Sequence, residues 1–325
     1  MSNLLEAIQP QINKVEELRF LAIKKSKKGK QKAILFFFVI NVIGALIIIL
    51  SSLNSPVTLP LFIFPFILGI IVAFITYRVI AGDSLKAFEA AYKINIIGGI
   101  AKHLQPEISY FPTNGISKQV FNSLGHYSKP DRYHTEDLFE GKIGATSISF
   151  AEAKAEEKYT TTDSKGNTKT HWRTLFEGLI FCADFNKHFH TTLTISPDNE
   201  SDSFFGRIAQ KFQAFGGNLV KLEDPEFEKH FLVRCPDDVQ ARYILTPDMQ
   251  QRLLELRSEV GDKLRISMHS STIYITIPKS TDWFEASLHT STASLGHLQN
   301  IASQMNFLFQ IVEILNLNTR IWTKS

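Results

Sequence analysis

The chain has 325 residues, with a formal net charge of +3 at pH 7 and 21% charged residues. This length is sufficient for one large or two small folded domains beside a membrane segment. The two cysteines, Cys182 and Cys235, lie far apart and in no Cys-x-x-Cys or Cys/His pattern. The composition therefore argues against a disulfide scaffold and against a zinc module, and the small net charge does not indicate a nucleic-acid partner.

Residues 1–32 combine an amphipathic segment with a basic cluster. Apolar residues recur at heptad-like spacing from Leu4 to Ala22, with Pro10 interrupting the pattern. This segment is predicted to lie on a membrane, to pack on a partner helix or to pack on the chain's own soluble domain. Six lysines follow it: Lys24, Lys25, Lys27, Lys28, Lys30 and Lys32.

Two apolar stretches, residues 33–53 and 59–80, each approach the 20 or so residues that cross a bilayer core. Arg78 is the sole charged residue in either stretch, and the turn between them is short and uncharged. We therefore expect a transmembrane helix hairpin over residues 33–80. A cleaved signal peptide has a shorter apolar region nearer the N-terminus, and a buried hairpin of a soluble protein would show a polar face.

The charges that flank the two stretches predict their orientation. The six lysines precede the first stretch and Lys86 and Lys93 follow the second, whereas the connecting turn carries no cation. Because cationic flanks stay on the cytoplasmic side, both termini are predicted to be cytoplasmic. The six lysines are a candidate membrane-surface site for anionic head groups, or they serve as the topology signal alone.

Residues 81–325 are predicted to form one cytoplasmic α+β domain. Helical patterns cover 84–104, 116–124, 204–215, 246–260 and 298–315, and period-two patterns cover 137–162, 172–185, 191–195, 219–222, 230–234, 263–268 and 272–278. Successive hairpins joined by polar turns favour a mostly antiparallel sheet with flanking helices. A fragment that begins near Gly82 is therefore expected to fold by itself.

Two details of the strand pattern give residue-level predictions. The hexapeptides LFEGKI at 138–143 and LFEGLI at 175–180 nearly match. This match indicates that the chain enters two strands in an equivalent way. The period of two places Trp172 and Phe176 on the same face of a strand. Since a face that carries two large aromatic rings usually points inward, Trp172 is predicted to be a core residue.

Candidate chemistry is sparse. His188 and His190 alternate on a strand and form a weak metal-binding pair without a third ligand at motif spacing. Acidic residues cluster near Arg132 and His134, which could form an acid–base site or a charged loop; they are Glu136, Asp137 and Glu140. No glycine-rich phosphate loop is present in the sequence. No cofactor and no catalytic residue are predicted.

The order of several motifs resembles that of a bacterial family, domain of unknown function 3137 (DUF3137). These motifs occupy residues 131–144, 170–172, 176–179, 183–187, 222–228, 238–247 and 315–322. The resemblance implies membrane spans that precede a cytosolic domain, and it implies no activity or catalytic residue.

The sequence therefore favours a membrane-anchored binding or scaffold module that faces the cytoplasm of a bacterial cell. Its expected partners are the lipid bilayer and a protein. The alternative is a membrane-bound hydrolase that uses the carboxylate and histidine cluster. A binding role is preferred because no sequence pattern combines a nucleophile, a base and an oxyanion donor.

Overall fold

The computed structural model describes residues 2–52, 60–185, 187, 189–198, 217–279 and 283–319. These residues form two compact units. The first comprises residues 1–100 and 285–300, and the second comprises residues 101–284 and 301–325. The predicted turn between the apolar stretches and the predicted helix at 204–215 lie outside the described residues.

The first unit is built on an antiparallel pair of long helices. Its elements are α1 (Ser2–Ser52), α2 (Pro60–Tyr92), a π-helical turn (Lys93–Ile97) and the start of α3 (Gly98–Leu104). Small residues let α1 and α2 approach closely, because a Cβ atom on Gly44 would lie 2.4 Å from Pro65 and one on Gly69 would lie 2.6 Å from Asn41. The described residues of the two apolar stretches, 33–52 and 60–80, are parts of these longer helices.

The amphipathic part of α1 packs inside the first unit. Ile8, Ile12 and Val15 are buried, and the segment 285–300 is bound to the same helix by polar contacts. Arg19 Nη1 donates a hydrogen bond to the Leu288 carbonyl oxygen at 2.7 Å. Of the three arrangements predicted for this segment, packing on the chain's own later residues is the one found.

Glu16 joins α1 to the same later segment. Its carboxylate accepts hydrogen bonds from the Thr292 backbone N–H at 2.9 Å and from Ser291 Oγ at 3.0 Å, and it forms an ion pair with Arg19 at 2.6 Å. Burial raises the pKa of Glu16, but the bonds from Arg19, Thr292 and Ser291 outweigh this effect and lower it to about 2. Glu16 therefore stays ionised at neutral pH.

The second unit contains an antiparallel sheet in which nine strands are described, in the order β1-β2-β3-β4-β9-β8-β5-β7-β6. The strands are β1 (Ser109–Phe111), β2 (Arg132–Ile143), β3 (Thr146–Thr162), β4 (Thr168–Asp184), β5 (Leu193–Pro197), β6 (Asn218–Val220), β7 (Phe231–Cys235), β8 (Arg265–His269) and β9 (Thr272–Pro278). The predicted α+β class with a mostly antiparallel sheet is confirmed.

The flanking helices are α4 (Lys118–Ser123), α5 (Pro225–Glu228), α6 (Asp238–Ile244), α7 (Pro247–Val260) and α8 (Leu295–Ile314). Local sequence explains where they begin. The Thr246 side chain accepts a hydrogen bond from the Met249 N–H, and Pro247 occupies the first helical position of α7. Asp237 caps α6 in the same way through Val239 and Gln240.

Each face of the central strands carries its own apolar layer. On one face, the Phe150 ring stacks on Phe139 at 4.6 Å and contacts Phe309 of α8 at 5.9 Å. On the other face, alanines of β3 leave room for Phe121 of α4, whose ring lies 6.0 Å from Phe176. The sheet is therefore covered on both sides, and this burial fixes the register of the long β3–β4 hairpin.

The two matching hexapeptides are explained by their glycines. Gly141 in β2 and Gly178 in β4 have φ values of +158° and +150°. A Cβ atom on Gly141 would lie 2.1 Å from the Glu107 carbonyl oxygen, and one on Gly178 would lie 2.2 Å from that of Ile277. Both hexapeptides thus mark a site where neighbouring backbone passes too close for a side chain.

Candidate functional site

The α1–α2 pair exposes an unusually apolar surface. Both helices are long and apolar enough to cross a membrane, and their most apolar 18-residue windows have mean hydropathies of 3.0 and 2.3. Large side chains such as Phe38, Ile47 and Phe64 are more than half exposed. An exposed apolar surface of this extent marks an interaction site, with lipid or with protein.

The six predicted membrane-surface lysines all lie on α1, immediately before its apolar part. Lys24, Lys25, Lys27, Lys28, Lys30 and Lys32 are exposed. The residues of the same turns that face α2 are Ser26, whose hydroxyl lies 3.1 Å from the Tyr77 hydroxyl, and Gly29, which contacts Ala81. The structure thus places all six cations on the outer side of α1.

A charged cleft of about 200 Å³ lies in the second unit. Lys154 of β3 pairs with Glu177 of β4 at 3.0 Å, and both belong to the same face of the sheet as the Phe150 layer. His134 and Glu136 of β2 and Glu152 of β3 lie on this same face. The segment after β9 closes one side of the cleft. The lining residues are His134, Glu136, Glu152, Ala153, Lys154, Glu177, Gly178, Leu179, Lys279 and Trp283.

Lys279 is a partly buried cation of the cleft. Its ammonium lies 3.8 Å from the centre of the Trp283 ring, and the Trp283 backbone N–H donates to Glu152 at 2.7 Å. Burial lowers the pKa of Lys279, and the Glu152 charge acts in the opposite direction. The described lining residues combine both signs of charge, which suits the binding of a polar group.

The structure divides the predicted acid–base cluster. His134 and Glu136 line the cleft and contact each other at 3.2 Å. Asp137 is fully buried with φ +57° and accepts a hydrogen bond from the Tyr110 hydroxyl. Glu140 lines a separate open cavity. Glu136 and Asp137 still bring one carboxylate oxygen each to within 4.8 Å of the other, so the cluster is gathered in part and Glu140 is separated from it.

The remaining chemical candidates give no centre either. His188 lies outside the described residues, and the His190 backbone N–H donates to Gln240 Oε1 at 3.2 Å, so the proposed metal pair stays a prediction. Burial raises the pKa of Cys182 to about 12, opposed by a hydrogen bond with Ser149. The Cys182 thiol is consequently protonated at neutral pH and is a poor nucleophile.

The β3–β4 hairpin extends beyond its neighbours in the sheet. β2 begins pairing with β3 at Glu156, and the ladder of β9 with β4 ends at Gly178. Among the described strands, residues 157–162 and 168–173 therefore pair only with each other. We call residues 157–173 the arm. Its distal residues, 158–170, are all exposed.

The arm carries aromatic side chains on both faces. Tyr159 stacks on His171 at 5.2 Å on one face. Trp172 lies on the other face, 38% exposed, with the Arg132 guanidinium 3.4 Å from its ring centre. The prediction that Trp172 is a core residue is therefore wrong.

A β-bulge accounts for this error. The register between β3 and β4 shifts between Ala155 and Glu156, so Phe176 lies opposite Ala155 and Thr174 lies opposite Glu156. Leu175 is the extra residue, and it moves Trp172 to the face opposite Phe176. Phe176 itself is buried, at 3% exposure. Exposed aromatic rings on a projecting hairpin are typical of a binding surface.

Residues 174–317 match the family model described as "Protein of unknown function (DUF3137)". The match shows a DUF3137 region over these residues. The DUF3137 region begins in β4, next to the arm, and extends past the end of α8, so the α1–α2 pair precedes it. The family resemblance seen in the sequence is thereby confirmed.

Other comparisons add little to the DUF3137 match. No curated protein matches the chain. The chain is similar to the crystal structure of the mycobacterial trehalose monomycolate transport factor A, TtfA, with a TM-score of 0.32 and 8% sequence identity over 66% of this chain and 95% of that chain. A similarity at this level supports no inference about function.

Proposed function

We propose that this protein is a membrane-anchored binding or scaffold protein, in which α1 and α2 span the bilayer and the sheet unit faces the cytoplasm. The membrane anchor is inferred from one observation, which is that the paired helices α1 and α2 expose their apolar side chains. The bilayer core would bury these side chains, and the helices satisfy their own backbone hydrogen bonds, as spanning segments must.

The cytoplasmic orientation follows from the flanking charges. The six exposed lysines precede the apolar part of α1, and Arg78, Lys86 and Lys93 lie toward the end of the apolar part of α2 or beyond it. Both cationic flanks belong to the same end of an antiparallel helix pair. This end is the cytoplasmic end by the positive-inside rule.

The arm is our candidate for the partner-binding surface of the sheet unit. It combines exposed Trp172 and Tyr159 with strand edges that no described strand continues past Glu156 and Gly178. The Lys158 N–H donates to Asp131 Oδ2 and the Glu177 carbonyl oxygen accepts from the Lys279 N–H, so the free edges begin beyond these two residues. Such edges accept an extended segment through backbone hydrogen bonds, and aromatic rings add apolar area. The charged cleft lies on the same face of the sheet as Trp172.

Two measurements test the anchor. Alkaline carbonate should leave the full chain in the membrane pellet, and a reporter fused after residue 325 should show cytoplasmic behaviour. A chain that is released by carbonate would overturn the membrane-spanning proposal, and an extracytoplasmic reporter would overturn the orientation alone.

A third measurement tests the arm. Proteins crosslinked to the full chain in membranes should be lost when residues 159–171 are replaced by an Asn-Gly turn, which keeps a hairpin connection. A matched variant, Thr160→Ala with Thr170→Ala, removes two exposed polar side chains from the arm and should keep the same crosslinks. Equal crosslinking in all three proteins would remove the arm as the partner surface.

A further inference from the structure

The six exposed lysines of α1 form a basic collar, which we define as Lys24, Lys25, Lys27, Lys28, Lys30 and Lys32. We propose that this collar is a binding site for the phosphate groups of anionic lipids. The inference rests on the proposed membrane anchor, and it adds a ligand class that a topology signal alone does not require.

The helical positions of the collar support a binding role. The residues of these turns that pack inward are Ala22, Ser26, Gly29 and Ala33. At about 100° per residue they occupy an arc of about 60°, and the six lysines occupy about 220° of the remaining circumference. The cations therefore surround the outer side of α1 and leave the α2 contact free of charge.

The collar has no internal counter-charge in the described part of the chain. None of its six lysines forms an ion pair or a hydrogen bond with a described residue. Asp83 is the acidic residue that follows the contact between Gly29 and Ala81 along α2, and it is exposed. Six cations without a described ion-pair partner concentrate positive potential on this part of α1, and this potential attracts anions from outside the chain.

The position of the collar selects lipid as the source of those anions. Residues 24–32 extend about 12 Å along the helix, directly before the apolar stretch that begins at Ala33. A head-group layer is roughly 5–8 Å thick, and flexible lysine side chains reach several ångströms along the helix. All six ammonium groups can thus approach the phosphate layer of one leaflet.

The test uses the full chain in micelles of a neutral detergent, immobilised through a C-terminal tag. Fluorescent phosphatidylglycerol and fluorescent phosphatidylcholine with the same acyl chains are applied in separate samples, and the retained lipid is measured. We expect at least about fivefold more phosphatidylglycerol, the effect of one favourable lysine contact, and a smaller ratio in high salt.

Two variants identify the site. Replacing the six collar lysines by glutamine should reduce the lipid ratio to about one. The matched control replaces six exposed lysines of the other unit by glutamine, and it should keep the wild-type ratio. These lysines are Lys102, Lys129, Lys142, Lys221, Lys229 and Lys263. Because micelles impose no orientation, a change in topology cannot produce the result.

Three outcomes would overturn the proposal. They are equal retention of the two lipids by the wild type, an unchanged ratio in the collar variant, and full displacement of the lipid by an equal concentration of inorganic phosphate, which would indicate a site for free phosphate. Carbonate extraction of the same wild-type protein reports on the anchor separately, so failure of lipid selectivity leaves the membrane-spanning proposal intact.

Discussion

Gly178 of β4 occupies a site that excludes every other residue type. Its φ is +150°, and a Cβ atom there would lie 2.2 Å from the Ile277 carbonyl oxygen, so both features act against a side chain. Gly178→Ala must therefore distort the β4–β9 ladder, and we expect a loss of about 2 to 4 kcal/mol in the free energy of unfolding. Chemical denaturation of the full chain in neutral detergent measures it.

Gly296 provides the control for this prediction. It lies in α8, where a Cβ atom would meet nothing within 4 Å. Gly296→Ala should be neutral or stabilising by up to about 1 kcal/mol, because alanine is the better helix former. Similar losses in both variants would show that the strand site has no special requirement for glycine.

His126 is a buried imidazole that should make stability depend on pH. Its Nε2–H donates to the Ile266 carbonyl oxygen at 3.0 Å. Burial and the nearby Arg265 charge lower the pKa of His126 to about 3, against a weaker opposing effect of that hydrogen bond. Because the pKa is lower in the folded state, stability is fully present above the unfolded value near 6.5 and is lost as the pH falls.

The predicted slope approaches about 1.4 kcal/mol per pH unit below pH 6.5. His126→Gln keeps a donor for the Ile266 carbonyl but cannot be protonated in this range. The variant should be less stable at pH 7, and its stability should change less between pH 7 and pH 5 than that of the wild type. Parallel pH profiles would show that His126 is accessible to protons in the folded state.

At the scale of elements, Trp172 and Phe176 of β4 differ in burial, although periodicity alone would place both on the inward face. Trp172 is 38% exposed on the arm, and Phe176 is buried at 3% exposure against Phe121. Truncating Trp172 to alanine should therefore change the free energy of unfolding by about 1 kcal/mol or less. Phe176→Ala should cost about 3 to 5 kcal/mol. Reversed magnitudes in denaturation experiments would place Trp172 in the core.

The existence of most elements is readable from the sequence, and local irregularities are not. The cap at Thr246 and Pro247 and the alternation in β3 are local signals, so α7 and the long hairpin are predictable. The bulge at Leu175 depends on the register of β4 against β3, which the alternation within β4 alone does not report. Because periodicity carries no sign of such an extra residue, it assigns Trp172 to the wrong face.

The candidate sites also differ in whether local sequence patterns reveal them. The six collar lysines are predictable because their spacing before an apolar stretch is a local pattern. The cleft residues Glu152, Glu177, Lys279 and Trp283 are missed, since they come from separate strands and from the segment after β9. Only the sheet order brings them together, and no motif spacing in the sequence reports that order.

At the scale of the whole molecule, residues 8–22 of α1 belong to the same compact unit as residues 285–300. Removal of α1 would delete the buried residues Ile8, Ile12 and Val15 of that unit. It would also remove the partners of the Leu288 carbonyl oxygen, of the Thr292 N–H and of the Ser291 hydroxyl. The structure therefore changes the expectation that a fragment from Gly82 folds by itself, and we expect this fragment to aggregate.

Joining residues 1–32 to residue 82 through a short glycine–serine linker should restore a soluble, cooperatively folding chain without detergent. The linker is feasible because Gly29 contacts Ala81, so the two ends are already close. Glu16→Gln in this fused chain tests the connection, since it removes a charge that accepts hydrogen bonds from Thr292 and Ser291. We expect a loss of about 2 kcal/mol near pH 7, and a smaller difference as the pH falls below about 4.5, where the unfolded carboxyl binds a proton. A soluble, fully stable fragment 82–325 would show that α1 contributes only its membrane span.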